Sequence, residues 1–150
     1  MCRVFGEKIA RQPYVERPGA YAVIQNDRRR IVTLHVGTAY FLPGGGTATD
    51  ETLQLALERE IMEECGRPIK IGRELGKATE YMYVGDEEVY YLIRSTFFEA
   101  RFLEWRVQRP EDNHVLVWLS AAEAIQRLRR RSQAWAVQQL VSSMPGFPLV

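Results

Sequence analysis

The chain has 150 residues, 46% of them hydrophobic, with 20 Lys and Arg against 19 Asp and Glu. That length fits one ordinary domain able to bury a core without disulfides. A net charge of +1 excludes a molecule whose overall field would draw in nucleic acid or an anionic membrane.

Two cysteines, Cys2 and Cys65, are too few for a disulfide framework and lack zinc-ligand spacing. A reducing, cytoplasmic setting is therefore expected. The opening "MCRVFGEKIARQP" carries charges where a secretory signal needs an apolar run. No stretch approaches transmembrane length, so no membrane partner is expected.

In chain order, Tyr21–Asn26 and Arg30–Val36 are rich in β-branched residues and predict two strands joined by an "NDRR" turn. "AYFLPGGG" gives a short apolar run ended by Pro43 and a loop of three glycines. From Thr52 to Cys65 the pattern is helical, with Thr49 or Asp50 as cap and Gly66 and Pro68 as the stop. Ile69–Val84 and Val89–Phe102 predict two long strands joined by the turn Gly85–Glu88. His114–Ser120 predicts one more short strand, and Ser120 with Glu123 forms a capping box for a helix. Ser132–Met144 predicts a second C-terminal helix. This order gives an α+β chain, a mixed sheet with helices packed on it. The arginines of "RLRRR", Arg127 to Arg131, read as a helix end favoured by its dipole rather than as an RNA patch. A nucleic-acid partner is disfavoured.

The central helix poses a problem of charge. Glu60, Glu63 and Glu64 fall at i, i+3 and i+4, within an arc of about 100°. They sit near the C-terminal end, where the helix dipole already disfavours negative charge. A divalent cation would compensate, and a cluster of hard oxygens suits Mg²⁺ or Mn²⁺ rather than zinc. Arg59 is placed to orient a neighbouring carboxylate. The glycines ahead of the helix let backbone approach a ligand closely. A carbonyl there could join a metal shell, and amides at the helix start could meet phosphate. Taken singly, each feature also fits a solvated helix face or an ordinary loop. Their joint spacing separates the two readings.

That spacing resembles the Nudix box, G-x5-E-x7-R-E-U-x-E-E-x-G-U with U aliphatic. The chain reads "GGTATDETLQLALEREIMEECGR", with Gly45, Glu51, Arg59, Glu60, Ile61, Glu63, Glu64 and Gly66 in place. Arg67 departs from the last aliphatic position, and Ile69 follows as a substitute. The box covers about a sixth of the chain, and "YFLPGGG" before it adds to the likeness. The resemblance, to MutT-like members, implies a Nudix fold over residues 1–150, an α/β/α sandwich with a mixed sheet, as one domain. It implies a Mg²⁺-dependent hydrolase, with Mn²⁺ as a substitute. The substrate would be a nucleoside diphosphate linked to another moiety: a nucleoside triphosphate, a dinucleoside polyphosphate or a nucleotide sugar.

Carried over by motif position, Glu60, Glu63 and Glu64 would be metal ligands, joined by the Gly45 or Gly44 carbonyl. Arg59 would orient Glu60, while Glu51, Gly66 and the Gly44 turn would serve the structure. The general base is left between Glu60 and Glu64 in the box and Glu111 or Asp112 on the loop before the last strand. Glu87 and Glu88 are a further option. Tyr81 and Tyr83 would stack on the nucleotide. The alternative function is a non-catalytic module that binds a nucleotide or RNA as a sensor. Monomer and homodimer both stay open, and the C-terminal "MPGFPLV" is apolar enough to dock.

Overall fold

The computed structural model describes residues 2–103, 105–111 and 113–144. The chain runs β1 (Cys2–Phe5), β2 (Val15–Ile24), β3 (Ile31–Val36), β4 (Ala39–Phe41), β5 (Gly44–Gly46) and α1 (Leu53–Cys65). It continues through β6 (Ile69–Val84), β7 (Val89–Phe102), β8 (Val115–Leu119), α2 (Ala121–Arg127) and α3 (Arg131–Ser142).

The hairpin β6–β7 is the spine, and its two strands have the expected bounds. A five-stranded mixed sheet grows from it in the order β1-β6-β7-β2-β5. β1 lies parallel to β6 and β2 parallel to β7, while β5 runs antiparallel to β2. A second, antiparallel sheet has the order β4-β3-β8.

Alternation along β2 explains the layers, because successive side chains take opposite faces. Ala20, Ala22 and Ile24 pack with Leu57, Ile61 and Cys65 of α1. Tyr21 and Val23 pack with Phe97 on one side and Trp135, Ala136 and Leu140 of α3 on the other. Leu57 and Ile61 are fully buried, and each such side chain stabilises by roughly 1.5–3 kcal/mol. The α3 layer sits close at Gly76, where an added Cβ would come within 2.7 Å of the Trp135 ring.

Four elements differ from expectation. β2 begins at Val15, well before Tyr21, because its pairing with β7 runs unbroken from Val15–Tyr91 to Ile24–Ala100. Pro18 lies inside it. Its missing N–H falls on the β5 side, where that short strand has already ended. β1, unforeseen in a charged N-terminus, is held by its parallel register with Lys77–Glu80. The glycine loop is a strand, β5, rather than a flexible turn. The arginine run is not one helix end. Leu128 turns extended (φ −58°, ψ 126°), α3 restarts at Arg131, and Arg129 bonds to the Tyr40 carbonyl at 3.0 Å. The first turn of α3 is instead anchored by buried Glu80 of β6. Its Oε1 accepts from the Ser132 backbone N–H at 3.1 Å and from the Ser132 hydroxyl at 2.6 Å. No described helix is long and apolar enough to cross a membrane.

Candidate active site

α1 is capped by Thr52, past both Thr49 and Asp50; its side-chain oxygen accepts from Leu55 N at 3.1 Å. Gly66 ends the helix in the left-handed region (φ 70°) and donates its N–H to the Met62 carbonyl at 2.9 Å. The last turn contains no basic residue. The basic side chain that the helix itself offers is Arg59, ahead of its last turn.

β5 sets backbone against those carboxylates. Ala22 N bonds to Pro43 O at 2.9 Å and Thr47 N to Pro18 O at 3.0 Å. Gly45, opposite Ala20 in the same ladder, therefore turns its amide and carbonyl toward β2. Gly44 and Gly46 turn theirs toward α1. Gly44 N donates to Glu64 Oε1 at 2.8 Å, and the Gly46 carbonyl accepts from Arg59 Nη2 at 3.1 Å. This register corrects the expectation for Gly45. Its carbonyl is spent on the sheet, and Gly44 is the neighbour that faces the carboxylates. What Gly45 provides is clearance, since a Cβ there would meet the Glu60 carboxylate at 2.5–2.9 Å.

Arg59 joins the near end of the cluster. Its Nε lies 2.6 Å from Glu51 Oε2, Nη2 lies 2.9 Å from Glu51 Oε1, and Nη1 lies 3.0 Å from Glu60 Oε1. Glu63 stands farther away, at 3.7 Å. The hydrogen bond from Arg59 holds Glu51 down to about 2, helped by the Ala48 N–H. Those bonds in turn hold the guanidinium above its ordinary range.

The far end behaves oppositely. Burial pushes Glu64 up to about 8, against the Gly44 N–H and with the charges of Glu60, Glu111 and Glu63 adding to the rise. Burial also raises Glu60, although Arg59 opposes it.

The loop after β7 completes the cluster. Val107 N bonds to Gly66 O at 2.7 Å, Gln108 Nε2 to Met62 O at 3.2 Å, and Glu111 N to Glu63 O at 3.1 Å. The loop thereby bonds to carbonyls at the end of α1 and just beyond it, and carries Glu111 to the cluster. Glu111 Oε2 lies 3.1 Å from His114 Nδ1, close but out of line for a hydrogen bond. Asp112 lies outside the described residues, as do Pro145 to Val150 of the apolar C-terminus.

Glu87 and Glu88 lie on the exposed β6–β7 turn, and Glu87 accepts from the Tyr91 hydroxyl. Tyr81 packs edge-on against Tyr14 at 5.0 Å, and Tyr83, 51% exposed, contacts Tyr90 at 4.6 Å. Arg67 lies 4.1 Å over the Phe102 ring, while Ile69 takes the buried place in the α1 core.

The sequence reading missed the residues facing the cluster from the other side. A cavity of about 280 Å³ runs from Gly44 and Glu64 to His114, Arg130 and Gln133. Arg130 lies over the Tyr21 and Phe41 rings, and its Nη1 donates to the Tyr21 hydroxyl at 3.2 Å. The only sequence signal for it was an arginine run with several readings.

Among the described residues, no group of three or more Asp, Glu, His or Cys side chains stands ready to hold a metal ion. The donor chemistry nevertheless fits a hard cation: every donor is oxygen, and burial, with neighbouring carboxylates adding to it, raises Glu64.

A family profile described as NUDIX domain matches residues 15–140. No curated protein matches the chain. Among solved structures, a NUDIX hydrolase from Nitrosomonas europaea superposes with a TM-score of 0.67 at 19% identity, over 86% of this chain and 90% of that one. A MutT protein from Methanosarcina mazei Go1 gives 0.69 at 17% identity, over 88% and 97%. An ADP-ribose pyrophosphatase from Streptococcus suis gives 0.59 at 15% identity, over 88% and 96%. At these identities the likeness speaks for the fold, and the profile match speaks for the family. With the box glutamates on α1 and the glycine strand beside them, this α+β chain belongs to the Nudix hydrolase family.

Proposed function

We propose that the chain is a Mg²⁺-dependent pyrophosphohydrolase. It would cleave a nucleoside diphosphate linked to another moiety: a nucleoside triphosphate, a dinucleoside polyphosphate or a nucleotide sugar. The observation that carries this reading is the crowding of Glu60, Glu63 and Glu111 around buried Glu64, with Arg59 committed to Glu51 and Glu60. Mg²⁺, or Mn²⁺ in its place, would be held by Glu60, Glu63, Glu64 and the Gly44 carbonyl. When bound it supplies charge neutralisation at the phosphates and a more acidic water.

The chain's own groups divide the remaining work. Arg59 holds Glu60 in one orientation. The Gly44 amide holds Glu64. Glu111, with a half-exposed side chain, is free to accept the proton of the attacking water, and His114 stands close enough to share it. Tyr81 and Tyr83 remain proposed contacts for a moiety reaching past the cluster. The two unpaired cysteines keep the expectation of a reducing, cytoplasmic setting.

The rival is a nucleotide sensor without catalysis. The retention of every charged box position favours the enzyme. Release of phosphate or nucleoside monophosphate from a nucleotide panel, with Mg²⁺ and with chelator, tests this. Metal-dependent turnover lost in Glu64→Gln supports the hydrolase. Nucleotide-dependent thermal stabilisation without turnover supports the sensor.

A further inference from the structure

A second cavity, of about 720 Å³, shares no lining residue with the one that ends at Gly44 and Glu64. Its volume lies within the range of small-ligand pockets, about 300–1,000 Å³. It lies where β2 gives way to the turn before β3. Pairing of β2 with β7 stops at Ile24–Ala100, while β6 and β7 stay paired to Ile69–Phe102.

Four cationic side chains line this cavity: Arg29, Arg67, Lys70 and Arg101. Two carboxylates join them, Asp27 and Glu99, and Glu99 is already engaged by Arg73 at 3.0 Å. Lys70 and Arg101 stand directly opposite each other in the β6–β7 ladder, and like charges so placed repel. Arg29 sits in the left-handed region (φ 59°), a conformation that glycine takes at less cost. Arg67 stands where the box has an aliphatic residue, and its guanidinium lies 4.1 Å over the Phe102 ring. Singly, each of these is an ordinary surface charge. A repelling pair, a turn arginine held at a backbone cost and a departure from the box all meet in one cavity. A cleft lined mainly by one sign of charge gathers the opposite ion.

The other walls say more about that ion. Ile71, Phe102, Trp118 and Met144 supply apolar surface, and Phe102 meets Trp118 edge-on at 6.1 Å. Gln25 adds an acceptor. Its Nε2 donates to Met144 Sδ at 3.6 Å, which orients the amide, and its Oε1 is buried with no partner. Buried polar groups are ordinarily satisfied, so this oxygen calls for a donor from a ligand. An anionic head with a hydroxyl-bearing body meets both demands.

We propose that this cavity is a second ligand site, which takes a phosphorylated sugar. The phosphate would meet Lys70, Arg101 and the two arginines, whose forked donors match phosphate oxygens. A sugar hydroxyl would donate to Gln25 Oε1. A free sugar phosphate and the ribose 5′-phosphate end of a nucleotide share this chemistry. The site stands whether or not the chain is a hydrolase.

The test is an NMR titration of isotope-labelled protein in chelator with ribose 5-phosphate, adenosine 5′-monophosphate and inorganic phosphate. Sodium chloride at matched ionic strength is the control. Saturable shifts are expected at residues 26–29, 70–72 and 100–102 with the phosphates and not with chloride. Lys70→Gln and Arg101→Gln should each weaken ribose 5-phosphate by about tenfold. Gln25→Leu should weaken it by about threefold and leave inorganic phosphate unchanged. Tighter binding of adenosine monophosphate than of ribose 5-phosphate assigns the site to a nucleotide, through the apolar wall; equal or weaker binding assigns it to the free sugar phosphate. Shifts confined to the Gly44 and Glu64 side, shifts reproduced by chloride, or affinities unchanged in both cation variants overturn the proposal.

Discussion

Glu51 and Glu64 belong to the same box, one just before the start of α1 and the other in its last turn, yet their environments push them apart. Glu51 has an arginine and a backbone amide, and is held down to about 2. Glu64 has one amide, three carboxylate neighbours and burial, and is pushed up to about 8. A carboxylate with its countercharge built in serves the architecture. A carboxylate denied one is stabilised only when something arrives.

The largest expected effect comes from the denied end. Glu64→Gln should lower turnover by about 10³-fold in steady-state assays with Mg²⁺. In chelator at pH 8 the same variant should melt at a higher temperature than wild type, because a neutral amide replaces a buried charge. A lower melting temperature there would show that Glu64 has its countercharge after all.

Next come two adjacent glycines. Gly45→Ala should cost about 10²-fold in kcat with little loss of stability. The obstructed group is the mobile end of Glu60, which can move aside but not remain in place. Gly44→Ala should instead cost roughly 1–3 kcal/mol in denaturant melts, since its φ is +136° and its Cβ would strike the Ala20 carbonyl. Equal stability losses would erase the distinction drawn between them.

The pH response is smaller and has opposite signs at the two ends. Glu64 is raised in the folded protein, so its contribution is fully present below its unfolded value of about 4.5. That contribution is lost as pH rises through about 8. Metal-free protein should therefore lose up to a few kcal/mol across that window, and Glu64→Gln should flatten the loss. Glu51 is lowered, so its contribution is present above 4.5 and is lost as pH falls toward about 2. Acid melts of Glu51→Gln should lack that component. The smallest catalytic effect is expected from the same variant, roughly tenfold in kcat, as Arg59 loses one of its two anchors.

Much of this was legible in the chain because local rules agreed with the fold. The β6–β7 hairpin, the Ser120–Glu123 capping box and the Gly66 stop are short-range signals, and all three recur in the structure. The box spacing placed Glu60, Glu63 and Glu64 on one face of one helix. What failed was non-local. β1 and the first half of β2 exist through parallel partners some 75 residues away. β5 is a strand because β2 supplies its ladder, against the propensity of three glycines. Gln133 and Arg130 reach the cavity through the packing of α3, which no motif encodes.

β5 has one further consequence. It is one of the two edge strands of the five-stranded sheet, and an open edge invites pairing with another molecule. Its outward amide at Gly44 and outward carbonyl at Gly46 are closed by Glu64 and Arg59. These two side chains therefore keep the sheet from growing at this edge. A chain that gave up both would expose a bare strand to its neighbours, so these residues bear on solubility whatever else they do.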